Sequence, residues 1–210
     1  MKLYICGGEC LKEQLNEQVS ISFNEALCDG QVTYPLFDET FNKLRANVHN
    51  VSEELYYNYT VKPLLDITTY DDVELVFGRD MFCMMNMVGL LTYFEQINFP
   101  GNITLRLVDE LKMDVIDTYE IKLGIYTEMY KTVLINHKRY QGKCVFELEC
   151  GLETYLQLQS ESNEIVEYIE EHLDDEDLLK VLLLRYSDYG LGDTQYLKMI
   201  ENVKKRRGAY

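Results

Sequence analysis

Residues 72–94 constrain the fold more than any other stretch. Val73–Phe77 is a run of strand-forming residues, Gly78-Arg79-Asp80 breaks it, and Met81–Phe94 is dense in Met, Leu and Val. A helix that is apolar on most of its circumference has to be buried on several sides at once. A buried strand running straight into such a helix therefore predicts a layered α/β core.

The same unit recurs. Lys2–Cys6 is a short apolar run followed by Gly7-Gly8, after which Leu11 and Leu15 fall four apart among polar residues. Val19, Ile21 and Phe23 alternate with polar neighbours and predict a second strand ending at Asn24-Glu25. A helix is expected near Asp38–Val48, after the Asp29-Gly30 turn and the loop around Pro35, and the long connection to Val73 has room for more than one helix. Past Pro100-Gly101-Asn102, Ile103–Val108 predicts a fourth strand that ends at Asp109-Glu110. Strands alternating with helices predict an α/β, Rossmann-like domain over residues 1–124, with a mainly parallel sheet and flanking helices.

From about residue 125 the pattern turns helical, and residues 125–210 are read as a helical region packed on the sheet. Thr127 is placed to cap a helix carrying Met129 and Val133. Ile165, Ile169 and Leu173 mark another, Leu178–Tyr186 is strongly apolar, and Asp193 is placed to cap a last helix after the Gly190-Leu191-Gly192 break. The segment 144–158 fits helical spacing through Val145, Leu148, Leu152 and Tyr155. It also fits strand alternation through Phe146, Leu148, Leu156 and Leu158, so both readings stay open.

Charge narrows the function classes. The net charge of −16 repels phosphate backbones at long range and disfavours nucleic acid as a partner. The opening MKLYICGGEC holds too short an apolar run for a signal peptide, and no 18-residue uncharged apolar run marks a membrane span. The six cysteines, Cys6, Cys10, Cys28, Cys83, Cys144 and Cys150, form no CxxC pair, so reduced thiols and a cytoplasmic location are expected. His49, His137 and His172 sit near no obvious partner in sequence and are read as surface or packing residues. The run Glu161–Asp177 has nine carboxylates and no Lys or Arg; it reads as a solvated helix face. Lys204-Lys205-Arg206-Arg207 reads as cations at a helix C-terminus.

The chemistry-bearing positions gather after the predicted strands. Parallel strands bring their C-terminal ends to one edge, where open α/β sheets bind ligands. That edge would hold Gly8, Glu9, Glu25, Arg79, Asp80 and Asp109. Gly7-Gly8-Glu9-Cys10 has the form of a phosphate-cradling turn, but Glu9 puts negative charge where the anion would sit, and a tight turn with Glu9 against the helix dipole is the simpler reading. Convergent carboxylates suit a divalent cation, a ribose or an amine, and offer acid–base chemistry where crowding raises a pKa. Cys10, Cys28 and Cys83 lie in the same turns without a histidine beside them, and buried small hydrophobes are expected there.

Several stretches together are similar to the bacterial family catalogued as domain of unknown function 1835. Gly8-Glu9-Cys10 resembles that family's Gly-Asp-Ser turn, with Glu for Asp and Cys for Ser. Glu25–Gln31 resembles its Glu/Asp-x-Leu-x-x-Gly-Pro segment, with Gln31 in place of Pro. Val76–Met84, through Asp80 and Phe82, resembles its strand leading to Asp-Leu-Phe/Tyr-x-Gln, and Leu184–Thr194 echoes its C-terminal region. The resemblance implies a shared fold and a cytosolic bacterial setting, without a mechanism. The expectation from these readings is a protein that binds a small polar ligand at its strand ends, with a regulatory role. One alternative is a metal-assisted enzyme acting on a phosphorylated or nucleotide-like substrate. The other is a transcription-associated protein using the C-terminal helix–Gly190-Leu191-Gly192–helix as a helix-turn-helix-like unit, although the start of its second helix, Asp193–Tyr196, carries no Lys or Arg.

Overall fold

A computed structural model describes residues 1–160 and 163–208. The sheet has five strands, β1 (Lys2–Cys6), β2 (Ser20–Ser22), β3 (Asp72–Phe77), β4 (Asn102–Val108) and β5 (Val115–Ile121), in the order β2-β1-β3-β4-β5. The first four pair in parallel, and β5 returns antiparallel to β4 through a hairpin. The expected mainly parallel sheet with flanking helices and a helical C-terminal region is the observed architecture.

Side-chain alternation splits the sheet into two unequal faces. Leu3, Ile5, Val73, Leu75, Phe77, Ile103, Leu105 and Leu107 join the main core. The opposite face holds only a small cluster, Cys6, Val76 and Val108 with Leu11 of helix α1 (Glu9–Leu15). There the buried Glu74 carboxylate in the middle of β3 is paired to Lys2 and to Arg106 on the two neighbouring strands.

Helix α4 (Met81–Gln96) anchors the main core. Every residue from Met81 to Phe94 except Phe82 is buried, as its uninterrupted apolar sequence requires. Asp80 starts it: its Oδ1 accepts the Cys83 N–H at 2.8 Å, satisfying a donor that the first turn leaves unpaired. The long connection between β2 and β3 carries α2 (Glu39–His49), α3 (Glu53–Tyr56), a π-helical turn (Tyr57–Val61) and two 3₁₀ turns. After β5 come α5 (Tyr126–Tyr130), extended by a second π turn, then α6 (Phe146–Leu158), α7 (Glu164–Glu171), α8 (Leu178–Arg185) and α9 (Asp193–Gly208). Their buried residues, among them Met129, Leu148, Ile169, Leu182 and Tyr196, belong to the same core cluster as the sheet.

Four local expectations need correction or resolution. The second strand is three residues long, because Phe23 has already turned into the buried loop beyond it. Residues 146–158 are helix; the run Leu148, Leu152 and Tyr155 is the buried stripe, while Phe146 is exposed. Thr127 is not a cap. The Glu95 carboxylate, at the end of α4, accepts the Tyr126 and Thr127 N–H groups at 2.8 and 2.7 Å and caps α5 from outside. Finally, β5 was not expected from the sequence. Of the acidic run, Glu161 lies outside the described residues.

Candidate functional site

The strand ends do form a cleft, but not where the first glycine turn is. In this strand order the direction of winding reverses between β1 and β3, the usual ligand crevice of an open sheet. There the first glycine turn stays close to β3. The Gly7 N–H bonds the Val76 carbonyl at 2.9 Å, and a Cβ on Gly7 would lie 2.9 Å from the Phe77 ring.

The open cleft lies one strand over, between the ends of β3 and β4, with a volume of about 590 Å³. Gly78, Arg79 and Asp80 come from the end of β3, Asp109 and Glu110 from the β4–β5 hairpin, and Phe146 and Glu147 from the start of α6. Ser187 and Asp188, in the 3₁₀ turn between α8 and α9, close it from the C-terminal side. The next residues of that turn pack directly on Asp80: a Cβ on Gly190 would collide with its carboxylate, and Gly190 also sits at φ +65°. The α8–α9 unit is thus a roof over the cleft. Two of its four terminal cations are engaged locally, Lys205 with Glu201 at 2.8 Å and Arg207 with the Glu170 carbonyl.

Within the cleft, ligating atoms of Asp80, Cys83 and Glu110 all lie within 4.8 Å of one another. The Cys83 thiol is 3.3 Å from Glu110 Oε1. A Cβ on Gly78 would collide with Glu110 Oε1, so the absent side chain is what lets the two carboxylates meet. Among the described residues no Lys or Arg pairs with either. Burial pushes the Asp80 carboxyl above its ordinary pKa against the pull of the backbone donors at the helix start. Burial, and then the Asp80 charge, raise Glu110 too. The Cys83 thiol is raised well above its usual value, by burial first and then by Asp80 and Glu110, so it is a thiol and not a nucleophile.

The other expected positions divide. Arg79 is exposed at the cleft and has no ion-pair partner among the described residues. Asp109 lines the cleft but spends Oδ1 on the hairpin, accepting the Leu111 and Lys112 N–H groups at 3.0 and 3.1 Å. Gly8 and Glu9 lie outside its lining. Glu9 is tied instead to the end of β2, accepting from Ser22 Oγ and from Asn24 Nδ2 at 3.0 Å; the Ser22 bond leads the causes that lower its pKa.

Glu25 is elsewhere altogether. Its fully buried carboxylate accepts from Arg45 Nη2 at 2.7 Å, from the Ala26 N–H at 2.8 Å and from the Tyr56 hydroxyl, with His49 Nε2 at 2.6 Å. Burial alone would raise its pKa; His49 and Arg45 outweigh burial and bring it to about 2. This network joins the loop after β2 to α2 and α3. It also gives His49 the partner that its sequence neighbourhood did not show. Sequence reasoning passed over Glu110 and His49. Glu110 adjoins Asp109 in the strand-end pair, and His49 sits one helical turn after Arg45.

No family model matches the chain, and no curated protein or solved structure does either. Function has to be read from this geometry.

Proposed function

We propose that the protein binds a small polar ligand carrying a cationic group in the cleft between the ends of β3 and β4. One observation carries the reading: the half-buried Asp80 and the exposed Glu110 are brought together, and among the described residues no Lys or Arg pairs with either. Two like charges in such a place raise each other's pKa, and a ligand ammonium relieves both at once. Five carboxylates, Asp80, Asp109, Glu110, Glu147 and Asp188, face the cleft against one guanidinium, Arg79. Phosphate-rich ligands are disfavoured by that balance, whereas Arg79 supplies a place for a carboxylate on the same small molecule. The volume suits a metabolite-sized ligand. Kinship with the domain of unknown function 1835 family, through the motifs at Gly8–Cys10, Glu25–Gln31 and Val76–Met84, belongs to this proposal, as does a cytoplasmic setting.

The metal-assisted reading has one observation of its own, the convergence of Asp80, Cys83 and Glu110. Two carboxylate oxygens and a sulfur suit a transition metal better than Mg²⁺, and binding would have to displace the thiol proton. Calorimetry separates the two readings. With 1,4-diaminobutane as probe, binding that weakens at least tenfold in Asp80→Asn supports the amine site; Asn preserves the helix cap while removing the charge. Heat with Mn²⁺ that depends on Cys83, and none with the diamine, favours the metal. No binding of either, or binding indifferent to Asp80→Asn, refutes the site.

A further inference from the structure

A second cleft, of about 290 Å³, opens over the Glu25 network, lined by the apolar Val51 and Leu55, the rings of His49, Tyr56 and Tyr59, and the polar Asn24 and Thr60. We propose that it binds a small uncharged aromatic molecule bearing a hydroxyl group, which donates a hydrogen bond to His49 Nδ1 while the ring lies among Val51, Leu55 and Tyr59. The proposal does not rest on the strand-end cleft.

The polar anchor follows from the buried network. Glu25, held by Arg45, offers only acceptor lone pairs, so the His49 nitrogen facing it at 2.6 Å, Nε2, carries the proton. In the neutral ring Nδ1 is then an acceptor, and it has no hydrogen-bond partner among the described residues. The ring is held nearly parallel to Tyr56, with centroids 6.0 Å apart and planes at 18°, and its side chain stays 28% exposed. The result is a fixed acceptor in a wall that is apolar except at Asn24 and Thr60. The donors of those two are already engaged, Asn24 Nδ2 with Glu9 and Ser22 and the Thr60 hydroxyl with the Asn24 carbonyl. Such a sparse polar anchor is how small-molecule sites fix a ligand's orientation.

The wall itself is unusual. Leu55 is 44% and Tyr59 63% exposed, and both lie at the same cleft as the exposed Val51. Single exposed apolar residues are ordinary, but a group of them around a concavity marks a binding surface. Tyr59 and Thr60 come from the π-helical turn Tyr57–Val61, a backbone form that recurs at functional sites.

The ligand class follows by complementarity. A carboxylate or phosphate would meet an acceptor nitrogen and the field of a chain with net charge −16. An ammonium would find no exposed anion in the lining, because the Glu25 carboxylate is sealed beneath Arg45, Tyr56 and His49. A hydroxyl donor on an apolar ring satisfies both the nitrogen and the wall.

The test is an NMR titration of the full chain with phenol, toluene, benzoate and benzylamine as separate probes. Phenol should shift the His49 imidazole nitrogen and the Thr60 and Val51 amides saturably, with a Kd about tenfold below that of toluene, as expected for one hydrogen bond. Benzoate and benzylamine should bind more weakly than phenol. His49→Phe keeps a ring but removes the acceptor, and should erase the difference between phenol and toluene. Leu55→Ser, at an exposed position, should weaken phenol and toluene alike with the fold intact. The proposal is overturned if toluene binds as tightly as phenol, if benzoate or benzylamine binds more tightly than phenol, or if phenol affinity is unchanged in either variant. It is overturned equally if no saturable shift appears at these residues.

Discussion

Replacing Arg45 with Met should be among the most damaging single substitutions available in this chain. The side chain is wholly buried, and its guanidinium makes five hydrogen bonds: two to Glu25, and one each to the carbonyls of Ala26, Asp29 and Gln31. Met fills much of the space but leaves Glu25 as a buried charge without its strong partner. Breaking one member of a buried pair costs about 3–5 kcal/mol, and orphaned carbonyls add about 1 kcal/mol each where water cannot reach them. With only the Ala26 carbonyl fully sealed from water, the loss should be about 4–6 kcal/mol, a large share of a typical domain's stability. The double variant Glu25→Gln/Arg45→Met removes the stranded charge and should recover about 2 kcal/mol relative to Arg45→Met alone. Urea unfolding followed by circular dichroism at pH 7 gives both values. A loss below about 1 kcal/mol, or strict additivity of the two single variants, would refute the account of this network. The pH dependence gives a second check with a definite sign. Glu25 titrates near 2 in the folded chain and near its ordinary 4.5 when unfolded, so its contribution is complete above pH 4.5 and is lost as pH falls towards 2. That lowered pKa is worth about 3 kcal/mol, and the acid-side slope should shrink in Arg45→Met.

Other substitutions probe the cleft. Glu110→Gln removes a carboxylate whose folded-state pKa is raised, a group that favours folding below its unfolded pKa and opposes it as pH rises. The variant should melt higher than the parent at pH 7 and equally at pH 3.5. Gly190→Ala adds a Cβ at positive φ against the Asp80 carboxylate; it should cost about 1–3 kcal/mol by thermal melting. Thiol labelling at pH 8 should find Cys10 fast and Cys150 slower, its thiol raised by burial and by Glu153 and Glu149 beside it, with Cys6, Cys28 and Cys83 protected by burial and, for Cys6, a pKa raised to about 11.

What the sequence showed and what it hid have physical causes. The β3–α4 unit was legible because a buried strand and a buried helix write continuous apolar runs with a capping Asp between them. Strand β5 was not, because it lies at the sheet edge with no fully buried residue; only Tyr119 and Ile121 reach the core, half-buried, too short a pattern to mark a strand. Asp80 and Arg79 do emerge at the cleft, since a strand end fixes where the following residues lie. Glu25 was misplaced by the same rule: its fate was decided by Arg45, 20 residues further on in another element, and local sequence carries no sign of that pairing. Glu9 shows a milder form, captured by Ser22 and Asn24 of the neighbouring strand.

The central claim is that Asp80 and Glu110 form an uncompensated acidic pair awaiting a cation. Carboxyl-carbon NMR, titrating both residues with and without 1,4-diaminobutane, tests it directly. Both pKa values should stand above the ordinary range in the free protein and fall together as the diamine binds. Ordinary pKa values that the diamine leaves unmoved would contradict it.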